Sequence, residues 1–195
     1  MTQFSISMQT RCEWCANSFE EYVKYHDEEW GVPVHDERRH FEFLVLESAQ
    51  AGLSWATILK KREGYRNAFA DFDFLQVAEY GAGMVEELLL DSSIIRNRMK
   101  IEATINNANR FIEVQKEFGS FDNYCWQFVG GNPIINTWEK MSEVPVTTKE
   151  SDNFSKDLKK RGFKFLGSTT IYAHMQAIGM VNDHTIDCFR YKELS

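Results

Sequence analysis

Two helical stripes joined by a very short linker constrain the fold of this chain most. Apolar residues recur at about the 3.6-residue period of an α-helix in two segments: Met84, Val85, Leu88 and Leu89, then Ile101, Ile105, Ala108 and Phe111. Residues 91–96 between them have room only for a tight turn, so the segments predict a helical hairpin. Nowhere do apolar and polar residues alternate convincingly, and no internal repeat occurs. The sequence therefore predicts an all-α protein.

Size and charge limit the function. A chain of 195 residues suits one domain with a substantial core. Lys and Arg number 22 against 29 Asp and Glu, which gives a formal charge of −7. The basic composition typical of a nucleic-acid-binding domain is absent. Because phosphates respond to a local patch before they respond to net charge, DNA binding stays open.

No segment near the N-terminus has the apolar core of a signal peptide, and no run approaches the ~20 apolar residues of a membrane span. We therefore expect a cytoplasmic, monomeric protein whose four cysteines are reduced. The predicted organisation is a disordered leader over residues 1–10, a single domain of two helical layers over 11–190, and a tail over 191–195.

Capping side chains place several helix starts. The predicted caps are Ser18 (with Glu21), Ser54, Asp73 and Thr147 (with Glu150). One long helix is predicted from Trp55 through the basic run 60–62 to Phe69, and a last apolar helix over 169–179. After Asn182 we expect only a short polar tail.

The segment from Leu46 to Trp55 contains the most informative carboxylate. Apolar spacing predicts a helix from Glu37 that Gly52 ends, so Glu47 lies in its last turn. There a carboxylate faces the negative end of the helix dipole, which costs about 0.3–1 kcal/mol. A buried carboxylate beside the indole of Trp55 would be a good receptor for a flat cation. The alternative is that Glu47 is satisfied by a hydrogen bond or salt bridge and Trp55 is simply core.

His184 and Cys188 are four residues apart and could share one metal ion. With Cys12 and His26 they would complete a tetrahedral Cys2His2 set, which has no open coordination position and is therefore structural. Cys15 offers a rival arrangement, because it forms a Cys-x-x-Cys pair with Cys12. Spacing alone does not decide between the two.

The hairpin turn is a candidate for DNA contact. Backbone N–H groups around Ser93 and Ile94 could hold a phosphate without reading the base sequence. Arg96, Arg98 and Lys100 would add positive charge there, and the basic run 60–62 would extend the patch. The alternative is an ordinary helical hairpin with a solvated basic face.

Taken together, these residues resemble the bacterial 3-methyladenine DNA glycosylase I family, part of the helix-hairpin-helix glycosylase superfamily. The matching segments are Arg11-Cys12-x-Trp14, Tyr25-His26-Asp27-x-Glu29-Trp30-Gly31-Val32-Pro33, Leu46-Glu47-x-x-Gln50-Ala51-Gly52-Leu53-Ser54-Trp55, Ile94-Ile95-Arg96, Arg161-Gly162-Phe163-Lys164-Phe165-Leu166-Gly167 and Gln176-Ala177-x-Gly179-x-Val181-Asn182-Asp183-His184. The resemblance runs from about residue 11 to 190, and motifs of this length and order are highly specific.

The resemblance implies a helix-hairpin-helix glycosylase fold with a pocket between helical layers. It implies one structural zinc ion that joins the N- and C-terminal segments, held by Cys12, His26, His184 and Cys188. Glu47 would be the catalytic carboxylate that hydrogen-bonds the extruded base, and Trp55 would stack on that base. Tyr25, with Tyr22 near it, would form another wall of the pocket. Leu53 would fill the gap left in the duplex.

The implied activity is hydrolysis of the N-glycosidic bond of 3-methyladenine in double-stranded alkylated DNA, which releases the free base in base-excision repair. Alkylation at N3 makes adenine cationic, so the base is already an activated leaving group. The enzyme then needs only to extract the nucleotide, hold the base and admit water. Because no amine nucleophile is needed, we expect a monofunctional glycosylase in which Lys60 and Lys61 form no Schiff base.

Two residues depart from the family pattern. Ser93 stands where Gly or Asn is expected, and a positive φ there would cost about 1 kcal/mol. Cys15 could compete for the metal or oxidise with Cys12. Two rival functions remain: a zinc-stapled DNA-binding module without activity, and a zinc hydrolase with Glu47 as its general base.

Overall fold

The computed structural model describes residues 9–16 and 18–195. The helices formed there are α1 (Glu20–Glu28), α2 (Glu37–Gln50), α3 (Trp55–Lys60), α4 (Arg62–Ala68), α5 (Phe74–Ala78), α6 (Ala82–Leu90), α7 (Arg98–Phe118), α8 (Phe121–Trp126), α9 (Lys149–Lys160), α10 (Ser168–Ala177) and α11 (Phe189–Glu193). Two very short strands, β1 (Ile134–Ile135) and β2 (Val181–Asn182), pair in parallel. Within these described ranges, no helix is both long and apolar enough to span a membrane.

The predicted helical hairpin is confirmed as α6 and α7. Asn97 caps α7, its side chain accepting from the backbone N–H of Lys100 at 3.2 Å. Val85 and Ile101, one from each predicted stripe, are buried. The predominantly helical class is also confirmed, and β1 with β2 is the small departure from it.

Helix α2 runs through the core, packing against α3, α7, α8 and α10. All its residues from His40 to Ala49 are buried. Beside it the rings of Phe111 and Phe121 stack with centroids 4.3 Å apart. Glu47, one turn before the end of this helix, is therefore held in the protein interior.

The prediction that Asp73 caps a helix is confirmed, because its carboxylate accepts from the backbone N–H of Leu75 at 3.0 Å. The prediction for Ser18 is wrong. Helix α1 begins after Phe19, whose backbone is extended, and no side chain caps it. The backbone N–H of Ser18 instead donates to the carbonyl of Cys15 at 3.2 Å.

The Thr147 cap is wrong by one position. Thr148 caps α9, its hydroxyl accepting from the backbone N–H of Ser151 at 3.3 Å. The Ser151 hydroxyl accepts from the backbone N–H of Thr148 at 2.8 Å, so Ser151 takes the place predicted for Glu150. Local pattern located this helix but not its first residue.

The predicted helix from Trp55 to Phe69 divides at Lys61 into α3 and α4. Next to this break the hairpin turn sits on α4, where a Cβ at Gly64 would lie 2.4 Å from the carbonyl oxygen of Ser93. Ser93 is not among the described non-glycine residues with a positive φ. The backbone strain expected at Ser93 is therefore absent.

The polar tail predicted after Asn182 is wrong for its first part. Asp183, His184 and Thr185 are buried, and α11 follows them. Helix α11 runs to Glu193 and therefore crosses the predicted boundary at residue 190. Residues 1–8 of the predicted leader lie outside the described residues.

Candidate active site

A four-residue loop between α2 and α3 fixes the positions of Glu47 and Trp55. Gly52 has φ +79°, a conformation that favours glycine, and it turns the chain directly after α2. Ser54 then caps α3, its hydroxyl accepting from the backbone N–H of Thr57 at 3.2 Å. Both predictions for this loop are confirmed. The loop places the side chains of Glu47 and Trp55 at one cavity with Leu53 at its exposed tip.

The cavity has a volume of about 200 Å³. It is lined by Trp14, Tyr22, Tyr25, Trp30, Glu47, Gln50, Trp55, Met141, Ala173 and Gln176. Aromatic rings form much of the wall: those of Tyr25 and Trp55 lie 5.3 Å apart and those of Trp14 and Tyr22 lie 5.1 Å apart. Flat apolar walls with a few polar groups suit a planar heterocycle.

Glu47 is the carboxylate of this cavity. It is only 4% exposed, and within the described part of the chain its Oε2 has no hydrogen-bond partner. Burial raises the pKa of Glu47 to about 8. The indole Nε1 of Trp55 is also buried without a partner among the described residues. Because buried polar groups are normally hydrogen-bonded, these atoms point to a ligand as the missing partner. No hydrogen bond or salt bridge from another described residue reaches Glu47 Oε2, contrary to the alternative that such a bond satisfies it.

The four predicted metal ligands meet in one buried cluster. Three distances between sulfur and ring nitrogen are each 3.5 Å: Cys12 Sγ to His184 Nδ1, Cys188 Sγ to His184 Nδ1, and Cys188 Sγ to His26 Nε2. Tetrahedral zinc, with bonds of about 2.3 Å to sulfur and about 2.0 Å to nitrogen, separates such atoms by about 3.5 Å. The cluster therefore has the chemistry and spacing to hold a metal ion.

The remaining ring nitrogens of the two histidines are also occupied. His26 Nδ1 lies 2.8 Å from Asp27, and His184 Nε2 lies 3.0 Å from the carbonyl oxygen of Trp30. Such contacts orient a histidine toward a metal. Cys15 lies outside this cluster, and its thiol donates to the carbonyl of Cys12 at 3.2 Å. The geometry thus favours the Cys2His2 set over the Cys-x-x-Cys pair.

Comparison with known proteins identifies the family of this chain. A sequence model of the methyladenine glycosylase family matches residues 14–191. The chain belongs to the methyladenine glycosylase family. DNA-3-methyladenine glycosylase 1 of Escherichia coli (strain K12) is 46% identical over 181 residues, covering 93% of this chain and 96% of the relative. The DNA-3-methyladenine glycosylase of Haemophilus influenzae (strain ATCC 51907 / DSM 11121 / KW20 / Rd) is 45% identical, covering 93% of this chain and 97% of the relative.

Solved structures agree on the fold of this methyladenine glycosylase family member. A crystal structure of 3-methyladenine DNA glycosylase I has a TM-score of 0.90 and 47% identity, covering 92% of this chain and 98% of that chain. A variant of 3-methyladenine DNA glycosylase I in complex with 3-methyladenine has a TM-score of 0.87 and 38% identity, covering 90% of this chain and 95% of that chain.

The predicted DNA-contacting residues of this methyladenine glycosylase family member differ in exposure. Leu53 is 40% exposed at the tip of its loop, and Ser93 and Arg96 are exposed at the hairpin turn. The Ile94 side chain is buried, so only its backbone can face DNA. The ammonium of Lys100 is turned toward α2. It donates to the backbone carbonyl of Ala49, in the last turn of α2, and to that of Ala51, just after the helix.

The basic patch predicted over 60–62 is wrong for Arg62. Its guanidinium pairs with Glu29 at 2.8 Å and with Glu42 at 2.9 Å in a largely buried network. Lys61 donates to the carbonyl of Ser92 at 2.7 Å, and the Lys60 ammonium lies 4.6 Å from the ring centre of Phe19. Sequence spacing located the charges but not their intramolecular partners.

Several cavity residues received no role from the sequence. Trp14, Trp30, Gln50 and Gln176 stand inside the matching motifs, so membership of a motif was the signal that could have singled them out. Met141 stands outside every motif and reaches the cavity only through the fold.

Proposed function

We propose that this protein is a monofunctional DNA-3-methyladenine glycosylase, a hydrolase that removes 3-methyladenine from alkylated double-stranded DNA in base-excision repair. The observation that carries the proposal is the unpartnered carboxyl of Glu47, buried in an aromatic cavity beside Trp55. Membership of the methyladenine glycosylase family supports the same activity. The related enzyme in complex with 3-methyladenine supports the choice of base.

The cavity matches the chemistry of the substrate. A base alkylated at N3 carries positive charge while it is attached to DNA, and the rings of Trp55 and Tyr25 would bind its face. Such cation–π contact contributes about 0.5–2 kcal/mol in favour of the cationic base over normal adenine. Charge pairing with Glu47 adds to this preference. The enzyme thus favours a base that is already a good leaving group.

Proton exchange at Glu47 is part of this recognition. With a pKa of about 8, the carboxyl is mostly protonated at pH 7 in the unliganded protein. A cationic base beside it favours the ionised form, so binding of the alkylated base would release that proton. The ionised carboxylate then stabilises positive charge on the sugar and base as the glycosidic bond breaks.

DNA engagement is assigned to the exposed edge of the same face. Leu53 would fill the gap left by the extruded nucleotide, because it is the apolar tip of the loop between the two pocket helices. The backbone N–H of Ile94 and the side chain of Arg96 would hold phosphates. The backbone N–H of Ser93, predicted to do the same, donates instead to the Asp91 carboxylate at 2.8 Å and would shape the turn. Lys100 would contribute indirectly, by holding the C-terminal end of α2 in place behind this surface.

A structural zinc ion is proposed for the four-residue cluster. Two thiolates and two imidazoles suit zinc, and all four positions of a tetrahedral ion would be filled by protein. The bound ion would staple the start of the chain to its end, with no reaction step assigned to it. A zinc hydrolase needs an open coordination position, so this donor set favours the glycosylase.

The proposal also includes the domain bounds, the localisation and the oligomeric state. The domain, predicted over residues 11–190, is extended to Glu193 because α11 crosses that boundary, with zinc joining its ends, and the protein is taken as a cytoplasmic monomer. A DNA-binding module without activity would need neither the buried carboxyl of Glu47 nor the aromatic cavity.

The activity is tested by chromatography of bases liberated from methylated duplex DNA. We expect free 3-methyladenine and intact abasic strands, because no amine nucleophile is used. Borohydride should trap no covalent protein–DNA adduct. Absence of free base at enzyme concentrations that saturate the DNA would contradict the proposal.

A further inference from the structure

The buried carboxylate of Asp183 accepts four hydrogen bonds. Oδ1 accepts from Asn136 Nδ2 at 2.7 Å and Trp138 Nε1 at 2.8 Å, and Oδ2 accepts from the Tyr172 hydroxyl at 2.7 Å. The fourth donor is Gln176 Nε2, at 2.8 Å from Oδ2. Asp183 is 1% exposed. All four partners donate, so both carboxylate oxygens of Asp183 act as acceptors.

This contact fixes the orientation of the Gln176 amide. An amide has one donating and one accepting end, and Asp183 can take only the donating end. The carbonyl oxygen Oε1 is therefore the end left for the cavity, which Gln176 lines together with Glu47. Because Asn136 and Trp138 hold Asp183 from the side of β1, Gln176 cannot reverse its amide without losing a bond to a fixed partner.

We propose that Gln176 is a specificity-determining residue that offers its Oε1 to the 6-amino group of the extruded purine, and that Asp183 is its positioning residue. Adenine carries a donating amino group at this position, whereas guanine carries an accepting oxygen. A fixed acceptor therefore hydrogen-bonds 3-methyladenine and repels 3-methylguanine. The inference rests on the proposed glycosylase activity and deepens it by naming the residues that set the preference for a 6-amino purine.

The geometry accounts for two acceptors at one cavity. An amino group has two N–H donors, and Glu47 and Gln176 can each accept one of them. A fixed acceptor discriminates more strongly than a rotating one, because the wrong base leaves it desolvated and unpaired. Gln176 and Asp183 belong to the same sequence motif as the proposed metal ligand His184, so this motif contributes to base selection as well as to the metal site.

The test compares the wild-type protein with Gln176→Leu and Asp183→Asn. Binding of two free bases, 3-methyladenine and 3-methylhypoxanthine, is followed by quenching of tryptophan fluorescence, since Trp14 and Trp55 line the cavity. These probes differ only at position 6, which is an amino group in 3-methyladenine and an oxygen in 3-methylhypoxanthine, and in the ring proton that accompanies the oxygen. The rates at which 3-methyladenine and 3-methylguanine are released from methylated DNA measure the corresponding preference in the reaction.

We expect Gln176→Leu to reduce the preference for the 6-amino base by about 10- to 100-fold, mainly by weakening the binding of 3-methyladenine. Asp183→Asn should reduce it similarly although Gln176 is present, because the new amide can accept or donate and lets Gln176 rotate. A merely structural role would lower both affinities together and leave their ratio unchanged.

An unchanged ratio in a folded Gln176→Leu variant would overturn the inference. A full preference in folded Asp183→Asn would overturn the positioning role. If Asp183→Asn does not fold, Gln176→Leu decides alone. Failure of the wild-type protein to release any 3-methyladenine would instead count against the proposed function, so the two failures are distinguishable.

Discussion

The ammonium group of Lys100 on α7 donates to the carbonyl oxygen of Ala51, just after α2, at 2.7 Å. The same ammonium donates to the carbonyl of Ala49 at 2.8 Å. The last carbonyls of a helix have no partners within the helix, and its C-terminal end attracts cations. Lys100 thus caps the helix that contains Glu47, and it ties the hairpin to the pocket.

Replacing Lys100 with Met should weaken catalysis without changing the salt dependence of DNA binding. The loss of the cap should cost about 1 kcal/mol of stability and slow base release. Arg96→Met, which would remove a phosphate contact, should instead lower the slope of log K against log salt by about 0.9. Lys116→Met, an exposed change on the same helix, controls for net charge.

The measurements are salt titrations of DNA binding and single-turnover release of the base. A slope that falls for Lys100→Met as it does for Arg96→Met would show that Lys100 contacts phosphate, as sequence spacing indicated.

Glu47 should make the folded protein less stable as pH rises. Its pKa is about 8 when folded, against an ordinary value of 4.5, so the native state binds more protons between these values. The free energy of unfolding is highest below about pH 4.5, and the contribution of Glu47 falls as pH rises through about 8, by about 5 kcal/mol in all. Glu47→Gln cannot titrate and should lack this component. Urea unfolding at pH 5 and pH 8.5 gives the comparison, and equal pH dependence in both proteins would disprove it.

One zinc ion per chain should be found by elemental analysis. Cys12→Ser should lose it, and the melting temperature should fall, because metal binding contributes to folding. Cys15→Ser is the matched control and should retain the ion, since Cys15 is outside the ligand cluster. On chelation, melting should change before activity does. Loss of zinc from Cys15→Ser with retention in Cys12→Ser would reverse the ligand assignment.

Gly64→Ala should destabilise the protein by about 1–3 kcal/mol, because the new Cβ would meet the carbonyl of Ser93 at 2.4 Å. The hairpin turn would have to move away from α4. Gly83→Ala is the control: it lies within α6 with nothing within 4 Å of its Cβ position. The control should gain about 0.5–1 kcal/mol from helix propensity. Denaturant unfolding of both variants decides, and equal effects would argue against the tight seat of the turn.

Local chemistry predicted some helix starts but not all, since Ser18 caps no helix and Thr148 takes the place predicted for Thr147. Asp73 and Ser54 bond to backbone groups within three residues, so their caps were predictable. The long motif around Glu47 identified the family, and the family pattern selected the four Cys and His residues that the fold brings into one buried cluster.

It was insufficient where distant residues decide. Arg62 looked like surface charge, but Glu29, far away in sequence, pairs with it. Asp183 looked like tail, yet Asn136 and Trp138 bury it. Such partners come together only through the tertiary fold, which periodicity and caps do not specify.

Single-turnover release of 3-methyladenine by Glu47→Gln tests the central claim most directly. The variant keeps the size of the side chain but cannot ionise when the cationic base binds, while Glu113→Gln makes the same substitution at an exposed position of α7. We expect release to fall about 100-fold for Glu47→Gln and to stay at the wild-type rate for Glu113→Gln. A folded Glu47→Gln protein that releases the base as fast as the wild type would contradict the account.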